Sequence, residues 1–228
     1  MTNWVEREAK RTNRNLLIVN LVSLAVCLAM MFPLYEEEKK EANFTPMVAL
    51  VALVLFTAWN CLKGMRRMSD IQSTPTWKEA AIYGNVEQIA AQVEQEEQME
   101  VPINKFLTVT RSWILYRGPF KTSVWPLTAL LWVYRQTTRV YTYAIIRIGK
   151  YESVIIVNRR GKKIEVRMPP RKLEALIAQL AERLPWVFFG YSDELAYALQ
   201  KDLAGMVAAV DTRRQQLIDK ANAAKIST

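Results

Sequence analysis

Two long stretches without a single charged residue constrain this chain more than anything else in it. Asn15 to Tyr35 is the first and Ala42 to Leu62 the second. At 1.5 Å rise per residue, about 20 such residues in a helix cross a hydrocarbon core of roughly 30 Å. The chain nevertheless has 51% hydrophobic and 23% charged residues with a mean hydropathy of -0.03. That balance requires apolar segments joined to an ordinary polar domain. A cleaved leader is a poor description of the first stretch, which runs into Pro33, Tyr35 and Glu36 to Glu38 where a small-residue cleavage site would be needed.

Charge flanking the stretches sets their expected direction. Arg7, Lys10, Arg11 and Arg14 precede the first, and Lys63, Arg66 and Arg67 follow the second, whereas the connector offers only Lys39 and Lys40. Lys and Arg resist translocation, so a hairpin in the cell membrane with both termini cytoplasmic is expected. The parsing is a cytoplasmic segment at 1–14, spans at 15–35 and 44–62, and a short external loop at 36–43. Thr45-Pro46 supplies a cap and a first-turn proline for the second helix. Asn20, Ser23, Thr57 and Asn60 are the main polar residues of the spans, and no charge lies inside either. Anchoring is therefore expected rather than transport, with Asn20 and Asn60 available to bond between helices.

A basic juxtamembrane segment with two small helices occupies 63–100. Thr76 and Glu79 have capping-box spacing, and Asn85 with Gln88 repeats it. Val86, Ile89, Ala90 and Val93 mark one buried face, while the acidic run Glu94 to Glu100 reads as a solvated helix end. From Pro102 the pattern turns to strands: Phe106 to Thr110, Ser112 to Arg117, Ser123 to Tyr134, Thr142 to Ile148, Ser153 to Val157 and Lys163 to Met168. Gly149-Lys150 reads as a turn, and Asn158 to Gly161 as the loop of the clearest hairpin. Leu173, Leu176, Ile177, Leu180 and Leu184 form the apolar stripe of a helix that Pro185 ends. The 185–228 segment begins with Trp186 to Phe189, a strand or a buried connection. A final helix follows from Asp193, continuous or kinked near Gly205.

Leu107 to Gly118, followed by Val124-Trp125-Pro126-Leu127, resembles the opening strands of bacterial pleckstrin-homology-like (PH-like) domains. The resemblance implies an α+β fold over 101–184: a PH-like antiparallel β meander or barrel closed by a helix, with flanking and C-terminal helices. Tyr83-Gly84-Asn85, Ile89 and Leu184 to Leu195 are also similar to a family of bacterial membrane proteins of unknown function. Neither resemblance carries catalytic residues.

Between Val101 and Lys172 there are fifteen Lys or Arg against Glu152 and Glu165, 15 − 2 = +13. The whole chain carries only +9. Arg159, Arg160, Lys162 and Lys163 cluster on one hairpin, and Arg111, Arg117 and Lys121 form a second group. These seven are the candidate contacts for anionic lipid headgroups or a protein partner, since anionic lipid attracts each nearby cation by about 1 kcal/mol. A homo-oligomer is a further option; nucleic acid is disfavoured, because no recognised motif accompanies Tyr134-Arg135 or Arg139-Val140-Tyr141.

Histidine is absent, and the two cysteines, Cys27 and Cys61, lie inside the apolar stretches. No glycine-rich phosphate loop, metal-ligand spacing or nucleophile motif is present. No cofactor, metal or catalytic residue is expected. The expectation is a non-enzymatic, membrane-anchored protein acting at the inner membrane surface. The alternative is an accessory or scaffold subunit docking on another membrane protein.

Overall fold

The structure, a computed structural model, describes residues 3–41, 45–100, 102–142 and 146–226. It separates into two compact units, Met1–Gln95 with Arg117–Val124, and Glu96–Tyr116 with Trp125–Thr228. The chain is mixed α+β: two apolar helices, two sheets and C-terminal helices.

The first unit is built on α1 (Trp4–Glu41) and α2 (Thr45–Ser69). Asn13 near the start of α1 donates to the Arg67 carbonyl near the end of α2 at 3.3 Å, so the two helices run antiparallel. Cys27, Leu50, Thr57 and Cys61 are buried, while Ile18, Val22, Val48, Leu55, Phe56 and Trp59 face outward. On length and composition both are candidate membrane spans, over Trp4–Met30 and Val48–Ser69. Only 11% of each apolar window is buried, so neither behaves as the core helix of a soluble domain. Thr57 donates to the Leu53 and Val54 carbonyls and Asn60 to Phe56. Asn60 thus donates within its own helix, one turn back.

Helix α1 does not stop at Tyr35. It continues through Glu36–Glu41, six of the eight residues expected to form a loop, because Glu and Lys are strong helix formers. The last two, Ala42 and Asn43, lie outside the described residues. After a 3₁₀ turn at Ile71–Ser73 come α3 (Pro75–Ala81) and α4 (Val86–Glu97). The cap of α3 is Thr74, whose hydroxyl accepts from the Trp77 amide at 3.3 Å, with Pro75 in the first turn. The cap lies two residues before the capping box expected at Thr76, which places Pro75 at the first helical position, where its missing amide costs no hydrogen bond. Glu79 is buried and accepts from Ser123 at 2.9 Å. Asn85 caps α4 as its spacing suggests, accepting from the Glu87 and Gln88 amides.

The strands are β1 (Leu107–Val109), β2 (Trp113–Arg117), β3 (Thr122–Pro126), β4 (Leu130–Thr142), β5 (Ile146–Asn158), β6 (Lys163–Arg167) and β7 (Phe188–Phe189). They form two sheets, β1-β2-β3 and β6-β5-β4-β7, with no closed barrel among the described residues. The single strand expected over Ser123 to Tyr134 is two. Pro126 has no amide to give a ladder, and a 3₁₀ turn at Leu127–Ala129 hands the chain from one sheet to the other. Likewise the turn expected at Gly149-Lys150 lies inside β5, which pairs with β4 along its length. Gly149 faces Val140, where the register shifts, so this glycine marks a bulge and not a reversal. Residues 143–145 of the strand expected over Thr142 to Ile148 lie outside the described residues.

Helix α5 (Pro170–Arg183) buries Leu173, Leu176 and Leu180 and packs on β4 and β5. Trp132, Tyr134, Ile155 and Val157 form a cluster with Met206 and Val210, joined by Leu195, Leu199 and Leu203. These come from α6 (Asp193–Lys201) and α7 (Leu203–Ile226). The helix breaks at Asp202, not at Gly205: the Asp202 carboxylate accepts the Gly205 amide at 2.8 Å and opens α7. Trp186 to Phe189 contributes β7, which lies parallel to β4 at Trp132 and Val133.

Candidate functional site

Two places concentrate functional side chains, one in each unit. In the first, the 3₁₀ turn folds the chain back after α2 and brings Lys78 of α3 towards the end of that helix. Lys63, Arg66, Arg67 and Lys78, with Asp70 and Ser73, line a cleft of about 400 Å³. Lys63 and Arg67 are one turn apart on α2, and this cleft begins where the uncharged stretch ends. Four cations and one carboxylate repel one another on balance, an arrangement that a phosphate relieves. The β2–β3 turn sits at the matching depth on α1. Asn15, the first residue of the other uncharged stretch, donates to the Pro119 carbonyl at 3.0 Å, and the Thr12 and Thr122 hydroxyls meet at 3.1 Å. That turn leaves Phe120 and Lys121 exposed.

The seven cations expected from sequence fare differently. Arg117 is drawn into an ion pair with Glu8 at 3.2 Å and lies over the Trp4 ring at 5.2 Å. With only 16% of its side chain exposed, it is a structural residue. Arg159 is committed to a forked pair with Asp211 of α7 and to the Thr128 carbonyl. Arg160, Lys162 and Lys163 are exposed on the β5–β6 hairpin, whose loop is held by the Asn158 side chain accepting the Arg160 and Lys162 amides, each at 3.0 Å. Gly161 takes φ +70° there, which only glycine adopts without strain. Arg111 and Lys121 are exposed on their turns. The cleft cations Lys63, Arg66 and Arg67 entered the sequence reading only as orienting charge. Lys78 gave no signal, because its neighbours are distant in the chain.

The second place is a groove of about 530 Å³ floored by Trp132, Tyr134 and Gln136 of β4, with Lys163, Tyr191, Ala196 and Gln200 around it. Its aromatic rings cluster: Trp132 stacks on Tyr191 at 5.9 Å, and Tyr134 lies tilted against both, at 4.1 Å from Trp132 and 5.5 Å from Tyr191 between centroids. Trp132 is fully buried and donates from Nε1 to the Gly190 carbonyl at 2.6 Å, fixing the turn that carries Tyr191. Burial raises the Tyr134 hydroxyl above its ordinary value of 10.0, helped by Tyr191 and Glu165. A hydrogen bond to Asp193, then the charge of that carboxylate, raises Tyr191. Both phenols are therefore neutral donors at physiological pH. Arg135 beside them is paired with Glu152 at 2.5 Å and Glu174 at 3.3 Å. Among the described residues no group of three or more metal-ligating side chains occurs.

Fold and sites together define a mixed α+β chain in which two candidate membrane helices are followed in sequence by a sheet-bearing domain. That domain has a family: residues 83–199, just over half of the chain, match the domain of unknown function DUF6709, and the chain belongs to this family. Tyr134, Lys163 and Tyr191 fall inside the matched region, and the cleft at Lys63 to Lys78 precedes it. No curated protein and no solved structure matches the chain.

Proposed function

We propose that this is a non-enzymatic, multi-pass protein of the cell membrane, with cytoplasmic termini, whose basic juxtamembrane cleft and PH-like domain bind at the anionic inner surface. The cleft lined by Lys63, Arg66, Arg67 and Lys78 carries this reading. If α1 and α2 cross the bilayer, these cations stand at headgroup depth, where each is worth about 1 kcal/mol against anionic lipid. Exposed Phe120 beside Lys121 suits the same layer, an apolar ring with a cation that reaches the phosphates. A PH-like fold is part of the proposal. The order of β1 to β6 followed by α5 supports it, and an open pair of sheets in place of a barrel is the variation it requires.

The test is lipid retention. Full-length protein, reconstituted in an equimolar mixture of phosphatidylcholine and phosphatidylglycerol, is released into detergent and examined by native mass spectrometry. Retained phosphatidylglycerol should exceed phosphatidylcholine, and Lys63→Glu with Lys78→Glu should abolish the excess. Equal retention of both lipids would sink the proposal. The accessory-subunit reading is favoured separately by the β4–β5 ribbon, on whose β4 edge no strand pairs beyond β7 among the described residues.

A further inference from the structure

We propose that the open edge of β4 is a docking site for an extended, acidic segment of a partner protein, added as a further strand over the Tyr134–Tyr191 groove. The Gly190 amide donates to the Val133 carbonyl at 3.0 Å, so the main chain of Val133 faces β7. Strand geometry repeats every second residue, which turns the N–H and C=O groups of Arg135 and Thr137 the same way. Strand β7 ends at Phe189, and Gly190 at φ +85° leads the chain off the sheet. Among the described residues no strand pairs with this side of β4 beyond Val133. From Gln136 to Thr142 β4 continues for about 20 Å at roughly 3.4 Å per residue. An edge of that length is a template for strand addition.

Charge selects the occupant. Arg139 stands directly opposite Lys150 in the β4–β5 ladder, a like-charge pair that destabilises the bare ribbon. Both are exposed, and Arg135 lies on the same face two pairs away, with Glu152 its neighbour. A second copy would bring these cations against their own kind. An acidic strand would neutralise Arg139 and Lys150 on one face, Arg135 being already paired with Glu152 and Glu174, and on the other lay alternate apolar or aromatic side chains against Tyr134 and Tyr191, with Lys163 beside them. The expected segment alternates acidic and apolar residues. This rests on the accessory-subunit reading and supplies its contact surface; it is independent of lipid binding.

The probe is a short fluorescein-labelled peptide alternating Asp and Val with one Tyr, titrated by anisotropy into the full-length protein in phosphatidylcholine nanodiscs. Two control peptides have the same residues in blocks, or N-methylated amides on one edge. Saturable binding should weaken by at least about tenfold with either control, a decade in Kd. Thr137→Pro removes an outward N–H that no β5 ladder bond uses, and Tyr191→Ala removes an exposed ring; each should weaken binding comparably. Equal binding of all three peptides, or no binding, overturns the proposal. So does complete displacement by a single-stranded oligonucleotide with no effect of N-methylation, which would mark a nucleic-acid surface. A photo-crosslinker at Tyr197 and another at Thr137 in native membranes separate the two ideas. One dominant adduct at Tyr197 with none at Thr137 keeps a docked partner but rejects the β4 edge. Absence of any adduct rejects both.

Discussion

Replacing Glu96 should destabilise the protein well beyond what a glutamate in an acidic run would suggest. Its Oε2 accepts the Thr110 hydroxyl at 2.6 Å and the Ser112 amide at 2.8 Å. The same threonine hydroxyl receives the Trp113 amide at 3.1 Å, so one carboxylate pins the turn between β1 and β2. Hydrogen bonds to ionised groups contribute about 1.5–3 kcal/mol each. Water replaces part of that at a half-buried site, and a negative charge in the last turn of α4 opposes the helix dipole by about 0.3–1 kcal/mol. The net cost of Glu96→Ala is about 2–3 kcal/mol, which lowers the midpoint by about 4–12 °C at 2–4 °C per kcal/mol. Glu96→Gln keeps the acceptor without the charge and should lose about half as much, since charge-assisted bonds are about twice as strong as neutral ones. Thermal unfolding of the full-length protein in nanodiscs, followed by tryptophan fluorescence, measures the order wild type, Gln, Ala. Hydrogen exchange over residues 110–113 localises the effect. An unchanged midpoint in Glu96→Ala with unchanged exchange in that turn would refute the reasoning.

Gly205→Ala should cost about 1 kcal/mol despite adding a better helix former, because its methyl would lie on the Asp202 carboxylate that caps α7 and force that cap away; a rise in midpoint would refute this. Tyr134 ionises late, so its contribution is intact below the ordinary tyrosine value of 10.0 and is lost as pH rises through the higher folded value. Stability measured across that alkaline range should fall less in Tyr134→Phe than in wild type. Arg159→Glu breaks the pair with Asp211, costing about 1 kcal/mol or less at this partly exposed site, and should leave anionic-lipid retention unchanged. Arg160→Glu, on the same hairpin with its side chain exposed, should lower retention without affecting stability; equal effects on retention would show that the Asp211 pair does not hold Arg159.

Local signals in the sequence were reliable where one short window held the whole cause. The two uncharged stretches, the hairpin from Val154 to Arg167 and the leucine stripe of α5 each depend on residues within a few positions of one another. The cap at Thr74 was missed because Thr76 and Glu79 imitate a capping box. Glu79 is instead buried against Ser123, forty-four residues on. The break at Pro126 was hidden by unbroken strand-forming residues on both sides, and only the change of sheet reveals it. For the sites the limit was sharper. Arg117 and Arg159 read as available cations because Glu8 and Asp211 lie 109 and 52 residues away. The aromatic groove gave no signal at all, since Tyr134 and Tyr191 meet only through the parallel pairing of β7.

The local charge of +13 therefore overstates what the strands can offer a ligand. Acids that neutralise the segment lie outside it: Glu8 for Arg117, Glu174 for Arg135 and Asp211 for Arg159. Arg167 spends its guanidinium on the Tyr151 ring at 3.7 Å, a contact that covers the cation. What survives is not spread over the sheets. It remains on Arg160 and Lys163 of the β5–β6 hairpin, on the Arg139–Lys150 rung and on the turns at Arg111 and Lys121, while the cleft at Lys63 to Lys78 lies outside the segment altogether. A ligand attracted by net charge alone would respond equally to any reversal within 101–172. One recognised at these places would ignore Arg117 and Arg159 except through folding, and salt would weaken it only as far as the few remaining cations allow.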